Sequence, residues 1–113
     1  MERILVTGGA GFIGSHLCEA LLKKGNDVIG VDNLSNGKLE NIKTFNNNKN
    51  FKFFKCDINN AKIINEILNG VDIIYHLAAL ADIIPSIQNP ELYFNSNVGG
   101  TFNLIRNCKK KII

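Results

Sequence analysis

The chain has 113 residues, of which 45% are hydrophobic and 20% are charged, and its formal net charge is +3. This size and composition indicate one ordinary globular domain, and so small a charge does not favour a nucleic-acid-binding protein. Three scattered cysteines without a CxxC spacing argue against a disulfide framework or a zinc site, and no apolar run reaches membrane-spanning length. We therefore expect a cytoplasmic protein with neither a membrane nor a nucleic-acid partner.

The first fifteen residues predict a strand, a glycine-rich turn and the beginning of a helix. Residues 4–6 form a short apolar run that is typical of a strand buried on both faces. Glycines follow at positions 8, 9, 11 and 14, and the apolar spacing becomes helical from Phe12. Such a turn binds anions, because unpaired N–H groups and the positive end of the helix dipole face it. We expect one glycine to have a positive φ, one to let a pyrophosphate approach, and Gly14 to let the helix pack closely on the strand.

A second strand ends at an acidic residue whose position indicates a dinucleotide site. The first helix is predicted over residues 12–24 and the second strand over residues 27–31, directly before Asp32. Asp32 lies eighteen residues after Gly14, close to the spacing at which a carboxylate contacts the adenosine ribose. A carboxylate accepts hydrogen bonds from both ribose hydroxyls and repels a 2′-phosphate, so the sequence predicts NAD rather than NADP. The alternative interpretation is a tight turn that contains glycines for structural reasons only.

The rest of the chain continues the alternation of strands and helices. The predicted elements are a turn at residues 33–37, a short irregular helix around residues 39–45, a strand at 51–54 that ends at 56–58, a helix capped by Asn59 or Asn60 and closed by Gly70, a strand at 71–77, a loop with two prolines, and a helix at 91–110. We therefore predict an α/β fold with a Rossmann-type doubly wound parallel sheet, in the strand order 3-2-1-4 and truncated before strand five. Residues 111–113 look like the first step of that strand.

The predicted topology places a ligand crevice at the carboxyl ends of the strands, where the order reverses between strands one and four. The crevice would be walled by residues 8–14 on one side and by residues 77–81 on the other. Both stretches consist mainly of glycine or small side chains, which allow a flat cofactor to approach the backbone closely.

Five motifs occur along the chain in a fixed order. They are Thr7-Gly-Gly-Ala-Gly-Phe-Ile-Gly-Ser-His16, Asp32-Asn-Leu-Ser-Asn-Gly37, Cys56-Asp-Ile58, His76-Leu-Ala-Ala79 and Asn97-Val-Gly-Gly-Thr101. Together they resemble the extended short-chain dehydrogenase/reductase superfamily, in its branch of NAD-dependent epimerases and dehydratases. The resemblance covers the whole chain, and it is greatest to UDP-glucose 4-epimerase and its relatives that act on UDP-sugars.

The resemblance implies which residues contact NAD. The pyrophosphate would be held by Gly8, Gly11, Phe12, Ile13 and Gly14; the adenosine ribose by Asp32 and Asn33, with Asn36 and Gly37 beside it; the adenine by Asp57 and Ile58; and the nicotinamide ribose by Leu77, Ala78, Ala79 and Leu80. Asp57 has an alternative interpretation as a simple helix cap. His16 and His76 are interpreted as packing or surface residues, and no catalytic residue or metal ligand is assigned within this chain.

The family's chemistry requires a Tyr-x-x-x-Lys pair, in which the tyrosine acts as the general base. Tyr75 and Tyr93 are followed four residues later by Ala79 and Asn97, so neither forms this pair. We interpret residues 1–113 as the N-terminal part of an NAD(P)-binding Rossmann domain, without the catalytic segment and the sugar-nucleotide domain. We expect this part alone to be inactive, with its fourth strand at an exposed sheet edge.

The expected function is that of the NAD-binding portion of a nucleotide-sugar epimerase or dehydratase. The resemblance implies interconversion of UDP-sugars by transient hydride transfer to bound NAD, in a full-length protein that is a homodimer. The alternative function is a free-standing NAD-binding module without catalytic activity.

Overall fold

The structure is a computed structural model that describes residues 1–113. Its five parallel strands are β1 (Arg3–Thr7), β2 (Asp27–Asp32), β3 (Phe51–Lys55), β4 (Ile73–His76) and β5 (Lys111–Ile112). They form one sheet in the order β3-β2-β1-β4-β5. The predicted α/β class and the order 3-2-1-4 are confirmed.

The residues that look like the first step of strand five form β5, which pairs with β4 over two residues, so the sheet is not truncated before its fifth strand. Backbone hydrogen bonds continue this pairing, because His76 donates to the oxygen of Ile113 at 2.9 Å and Ile113 donates to the oxygen of Ile74 at 2.8 Å. The expected exposed edge at β4 is therefore paired with β5.

The helices cover both faces of the sheet. They are α1 (Phe12–Lys23), α2 (Ala61–Ile67), α3 (Ile83–Gln88), α4 (Pro90–Tyr93) and α5 (Gly100–Asn107), with a 3-10 helix at Leu39–Ile42 and a π-helix at Phe94–Gly99. Asn60 caps α2 as predicted, because its side chain accepts the N–H of Ile63. None of these helices is long and apolar enough to cross a membrane.

The segment between β4 and β5 differs most from the prediction. The expected loop contains α3, in which Pro85 occupies the first turn, where a backbone N–H has no intrahelical partner to lose. The expected single helix at residues 91–110 forms as an uninterrupted helix that consists of α4, the π-helix and α5, and it ends at Asn107. Cys108 has an extended backbone, which directs the chain from α5 into β5.

The centre of the sheet, β1, is buried on both faces as predicted. Ile4 and Val6 contact the cluster beneath α1 and the 3-10 helix, whereas Leu5 contacts the cluster beneath α2 and α5. Full burial of a parallel strand requires helices on both sides, because both sets of alternating side chains are apolar. The carboxyl end of β1 is therefore fixed between two packed layers.

The glycine turn after β1 depends on two close approaches of backbone. Gly8 has a φ of +69°, which side chains with a Cβ rarely adopt. A Cβ on Gly14 would lie 2.0 Å from the oxygen of Gly8 and 3.1 Å from the Cα of Gly9. Gly14 therefore lets α1 pack against the turn itself, and this corrects the expectation that it packs on the strand.

We expect Gly14→Ala to lower the free energy of unfolding by about 1–3 kcal/mol, the range for forcing extra volume into packed structure. Helix propensity alone would favour alanine by about 1 kcal/mol, so the predicted sign is diagnostic. Gly11→Ala is the matched control, because its Cβ would contact only the Gly8 oxygen, at 3.2 Å. Urea unfolding followed by circular dichroism measures both variants, and equal midpoints would contradict the prediction.

Candidate functional site

A crevice of about 220 Å³ opens at the carboxyl ends of the strands, where the strand order reverses between β1 and β4. All of the predicted site residues line it except Ile13 and Gly14, which lie in the first turn of α1. The predicted residues along its walls are Gly8, Gly11, Phe12, Asp32, Asn33, Asn36, Gly37, Asp57, Ile58, Leu77, Ala78, Ala79 and Leu80.

Four further residues line the crevice and were not predicted: Val31, Ser35, Cys56 and Ser96. The first three are neighbours in sequence of predicted residues, so their position follows from the same strand ends and turn. Ser96 belongs to the π-helix, and no sequence pattern indicated that this segment reaches the crevice.

The N-terminus of α1 faces the crevice with free hydrogen-bond donors. The backbone N–H groups of Phe12, Ile13 and Gly14 donate to no protein acceptor, and Gly11 supplies no side-chain cap. The first turn also lacks an acidic residue. Because the helix dipole adds partial positive charge here, this end of α1 favours a bound anion.

The carboxylate of Asp32 lies beside the glycine turn in a fixed orientation. Its Oδ2 accepts the N–H of Ala10 at 3.1 Å, and its Oδ1 accepts the N–H of Leu34 at 2.9 Å. A Cβ on Gly37 would lie 2.5 Å from Oδ2, so glycine is needed beside the carboxylate. An ionised carboxylate has about four acceptor positions, and Asp32 therefore keeps capacity for two more donors.

Asp57 and Ile58 form one end of the crevice, and α5 holds the backbone there. The Oδ1 of Asp57 accepts the N–H of Asn59 at 2.9 Å, a local turn contact, while α2 is capped separately by Asn60. The side chain of Asn103 donates to the oxygen of Ile58 at 2.6 Å. Ile58 is only 8% exposed, so most of its side chain lies in the core and only an edge faces the crevice.

Cys56 precedes Asp57 and also lines the crevice, and its thiol has no partner that would activate it. Burial, and to a lesser extent the charge of Asp57, raise the pKa of the Cys56 thiol above its ordinary value. A protonated thiol is a poor nucleophile. The structure also contains no group of three His, Cys, Asp or Glu side chains that could hold a metal ion.

The wall on the β4 side consists of residues 77–80. A Cβ on Gly8 would lie 3.1 Å from the nitrogen of Ala78, so this wall packs directly on the glycine turn. The side chain of Asn97 makes two hydrogen bonds of 2.8 Å with the backbone of Leu80, accepting from its N–H and donating to its oxygen. Asn97 belongs to the π-helix, a conformation that often occurs at functional sites.

A partly buried row of side chains joins this wall to β1 and α5. The Nδ1 of His76 lies 2.7 Å from the hydroxyl of Thr7, and its Nε2 lies 2.7 Å from the hydroxyl of Thr101. Thr7 also accepts the N–H groups of residues 77–78, at 2.9 and 3.1 Å. The sequence interpretation of His76 as a packing or surface residue omitted this row, since its partners are distant in sequence.

Comparison with known proteins agrees with this geometry. The family described as GDP-mannose 4,6 dehydratase matches residues 5–112. The chain belongs to this family. The predicted membership of the extended short-chain dehydrogenase/reductase superfamily, in its branch of NAD-dependent epimerases and dehydratases, is thereby confirmed.

Individual members of the family resemble the chain over nearly all of its length. It is 42% identical over 108 residues to UDP-glucuronic acid decarboxylase 4 of Arabidopsis thaliana, covering 96% of this chain and 23% of that protein. It is 40% identical over 116 residues to UDP-glucuronate 4-epimerase of Thermodesulfobacterium geofontis, covering 96% and 36%. The UDP-glucose-4-epimerase of Stenotrophomonas maltophila, solved with NAD and formylated UDP-arabinopyranose, superposes with a TM-score of 0.86 at 32% identity, covering 95% and 33%. The chain thus spans about a quarter to a third of these family members.

We expect the stability of this dehydratase-family chain to fall as His76 gains a proton. Burial holds the pKa of His76 below its ordinary value of 6.5, so the unfolded state binds the proton more readily than the folded state. This contribution to stability is fully present above pH 6.5 and is lost as the pH falls through the folded-state pKa. Urea midpoints measured from pH 7.5 to pH 5 should therefore decrease.

His76→Gln should reduce this decrease, because the titrating group is removed. His16→Gln is the matched control, since it removes the exposed imidazole on α1 and leaves His76 in place. If all three proteins show the same pH dependence, His76 does not contribute to it.

Proposed function

We propose that the chain forms the NAD-binding portion of a nucleotide-sugar epimerase or dehydratase. The observation that carries the proposal is the uncapped N-terminus of α1 placed next to a fixed carboxylate, Asp32, within one crevice. The family relatives named above are a decarboxylase and epimerases of UDP-sugars, and this supports UDP-sugars as the substrate class. Within that class we favour a UDP-glucose 4-epimerase-like activity.

The residues of the crevice fit an extended dinucleotide. Free N–H groups at the start of α1 suit the pyrophosphate, and the remaining acceptor capacity of Asp32 suits the two adenosine ribose hydroxyls. The second oxygen of Asp57 suits the adenine amino group. Residues 77–80, on the opposite side of β1 from Asp32, then lie beneath the nicotinamide ribose.

When bound, NAD would supply the hydride acceptor for oxidation of a sugar carbon. The residues of this chain bind the cofactor, orient it between β2 and β4, and exclude 2′-phosphorylated cofactor through the charge of Asp32. The general base would come from outside residues 1–113, because neither Tyr75 nor Tyr93 forms the Tyr-x-x-x-Lys pair. The catalytic segment and a sugar-nucleotide domain would account for the remaining length of the relatives.

We also assign the protein to the cytoplasm, since all three of its cysteines are free.

The full-length protein is proposed to be a homodimer that associates through the helices between β4 and β5. Exposed apolar side chains there recur at intervals of three and four residues, which favours one helical face: Phe94, Val98, Phe102 and Ile105.

We expect the chain to prefer NAD to NADP by at least about 2 kcal/mol, the scale of an uncompensated charge contact in a partly buried site. Isothermal titration calorimetry with both cofactors measures this difference. Asp32→Asn should narrow it, because the amide carries no charge against a 2′-phosphate. Asp57→Asn is the matched control and should weaken both cofactors equally. Equal affinities in the unchanged chain would remove the role of Asp32, and binding of neither cofactor would refute the proposed function.

For the homodimer, we expect Phe94→Glu combined with Phe102→Glu to produce a monomer, because two charges cannot be buried in an apolar interface. Sedimentation velocity measures the oligomeric state of the unchanged full-length protein and of its variant. Phe54→Glu, at an exposed aromatic residue on β3, is the matched control and should leave the dimer intact. A monomeric full-length protein would contradict the prediction.

A further inference from the structure

His76 is the last residue of β4, and its side chain is linked to two other elements. Its imidazole lies between the hydroxyl of Thr7 on β1 and the hydroxyl of Thr101 on α5, at 2.7 Å from each. Thr7 is completely buried and holds the first two N–H groups of the β4-side wall. The imidazole is therefore connected, through the hydroxyl of Thr7, to the backbone that forms one side of the crevice.

The hydrogen bonds around His76 allow only one direction of donation. The hydroxyl of Thr7 accepts two backbone N–H groups, which occupy its lone pairs, so its own proton is donated to Nδ1 of His76. The hydroxyl of Thr101 donates to the oxygen of Asn97 at 2.5 Å, so it accepts from Nε2 of His76. His76 is thus neutral, with its proton on Nε2.

We propose that His76 is a positioning residue that, as the neutral Nε2–H tautomer, holds residues 77–80 in place for the nicotinamide half of the dinucleotide. The inference rests on the proposed NAD-binding function. It goes beyond that function because it assigns a role to a side chain that does not line the crevice. Its effect on the ligand is transmitted through Thr7 and the backbone of residues 77–78.

The position of the wall explains why this effect is confined to one half of the ligand. β2 and β4 lie on opposite sides of β1, so the adenosine at Asp32 and the ligand half over residues 77–80 occupy opposite ends of the crevice. The second support of the wall, Asn97 on Leu80, comes from the same helical segment as Thr101. Loss of the imidazole would release the start of the wall while leaving Asp32 and the α1 N-terminus unchanged.

A histidine that serves only to fill the core is the competing explanation. Such a residue would have no required tautomer, and its replacement would weaken every ligand of the crevice equally through general loosening. A positioning residue has a defined tautomer and affects only the ligand part that contacts the wall. Two measurements separate these explanations.

The first measurement is the tautomer of His76 in the ¹⁵N-labelled chain at pH 7.5, from long-range ¹H–¹⁵N correlation spectra. We expect the Nε2–H pattern for His76, and His16→Gln identifies its signals by removing the only other imidazole. A Nδ1–H tautomer, a charged ring or a mixture of tautomers would overturn the proposal.

The second measurement is calorimetric affinity for NAD and for ADP, which contains the adenosine and pyrophosphate but not the nicotinamide riboside. We expect His76→Phe to lower NAD affinity about tenfold and to leave ADP affinity unchanged, the scale of one lost hydrogen-bonding arrangement. His76→Asn, which keeps an acceptor facing Thr7, should restore part of the loss. Tyr75→Phe is the matched control, because Tyr75 precedes His76 in β4 and packs on the opposite face of the sheet.

The outcomes distinguish failure of this inference from failure of the proposed function. If the unchanged chain binds neither NAD nor ADP, the proposed function fails, and the positioning role fails with it. If both ligands bind and His76→Phe weakens them equally or not at all, only the positioning role is overturned. Should His76→Phe not fold, Thr101→Val removes the acceptor of the Nε2 proton, and the same selective loss of NAD affinity is required.

Discussion

The close approach of backbone at the glycine turn is the constraint on which the rest of this structure depends. With a Cβ on Gly14 the first turn of α1 could not lie against Gly8, because that Cβ would be 2.0 Å from the backbone oxygen of Gly8. That contact aims the N-terminus of α1 and its free N–H groups into the crevice. The opposite side of the same turn contacts the backbone at Ala78, so one small loop sets the position of both the anion site and the β4-side wall.

A second constraint comes from the burial of β1. Because both faces of this strand are covered, any polar group on it must find a partner within the protein. Thr7 meets this requirement by accepting two N–H groups of the wall and by bonding to His76. The polar interior is fully satisfied, since no buried side-chain nitrogen or oxygen lacks a hydrogen bond. The hydrogen bonds that satisfy the buried hydroxyl of Thr7 are therefore the same ones that hold the β4-side wall of the crevice.

The segment between β4 and β5 connects the crevice to the rest of the protein surface. On its inner side, Asn97 bonds to Leu80 and Asn103 bonds to Ile58, both of which line the crevice, and Thr101 bonds to His76. Its outer side exposes apolar residues such as Phe94 and Phe102. The same helical segment therefore contacts the crevice on its inner side and carries the proposed association surface on its outer side.

The sequence by itself determined the fold class, the strand order 3-2-1-4, the family and most of the residues that line the crevice. It could do so because glycines, a strand-terminal Asp32 and alternating apolar runs are local patterns with a direct backbone meaning. Only the tertiary structure decided the pairing of β5 with β4, the α3 and π-helical segments, and the hydrogen-bond partners of His76. These depend on contacts between residues far apart in the chain, such as Thr7 with His76 and Thr101, and a local pattern contains no information about which distant hydroxyl an imidazole will meet.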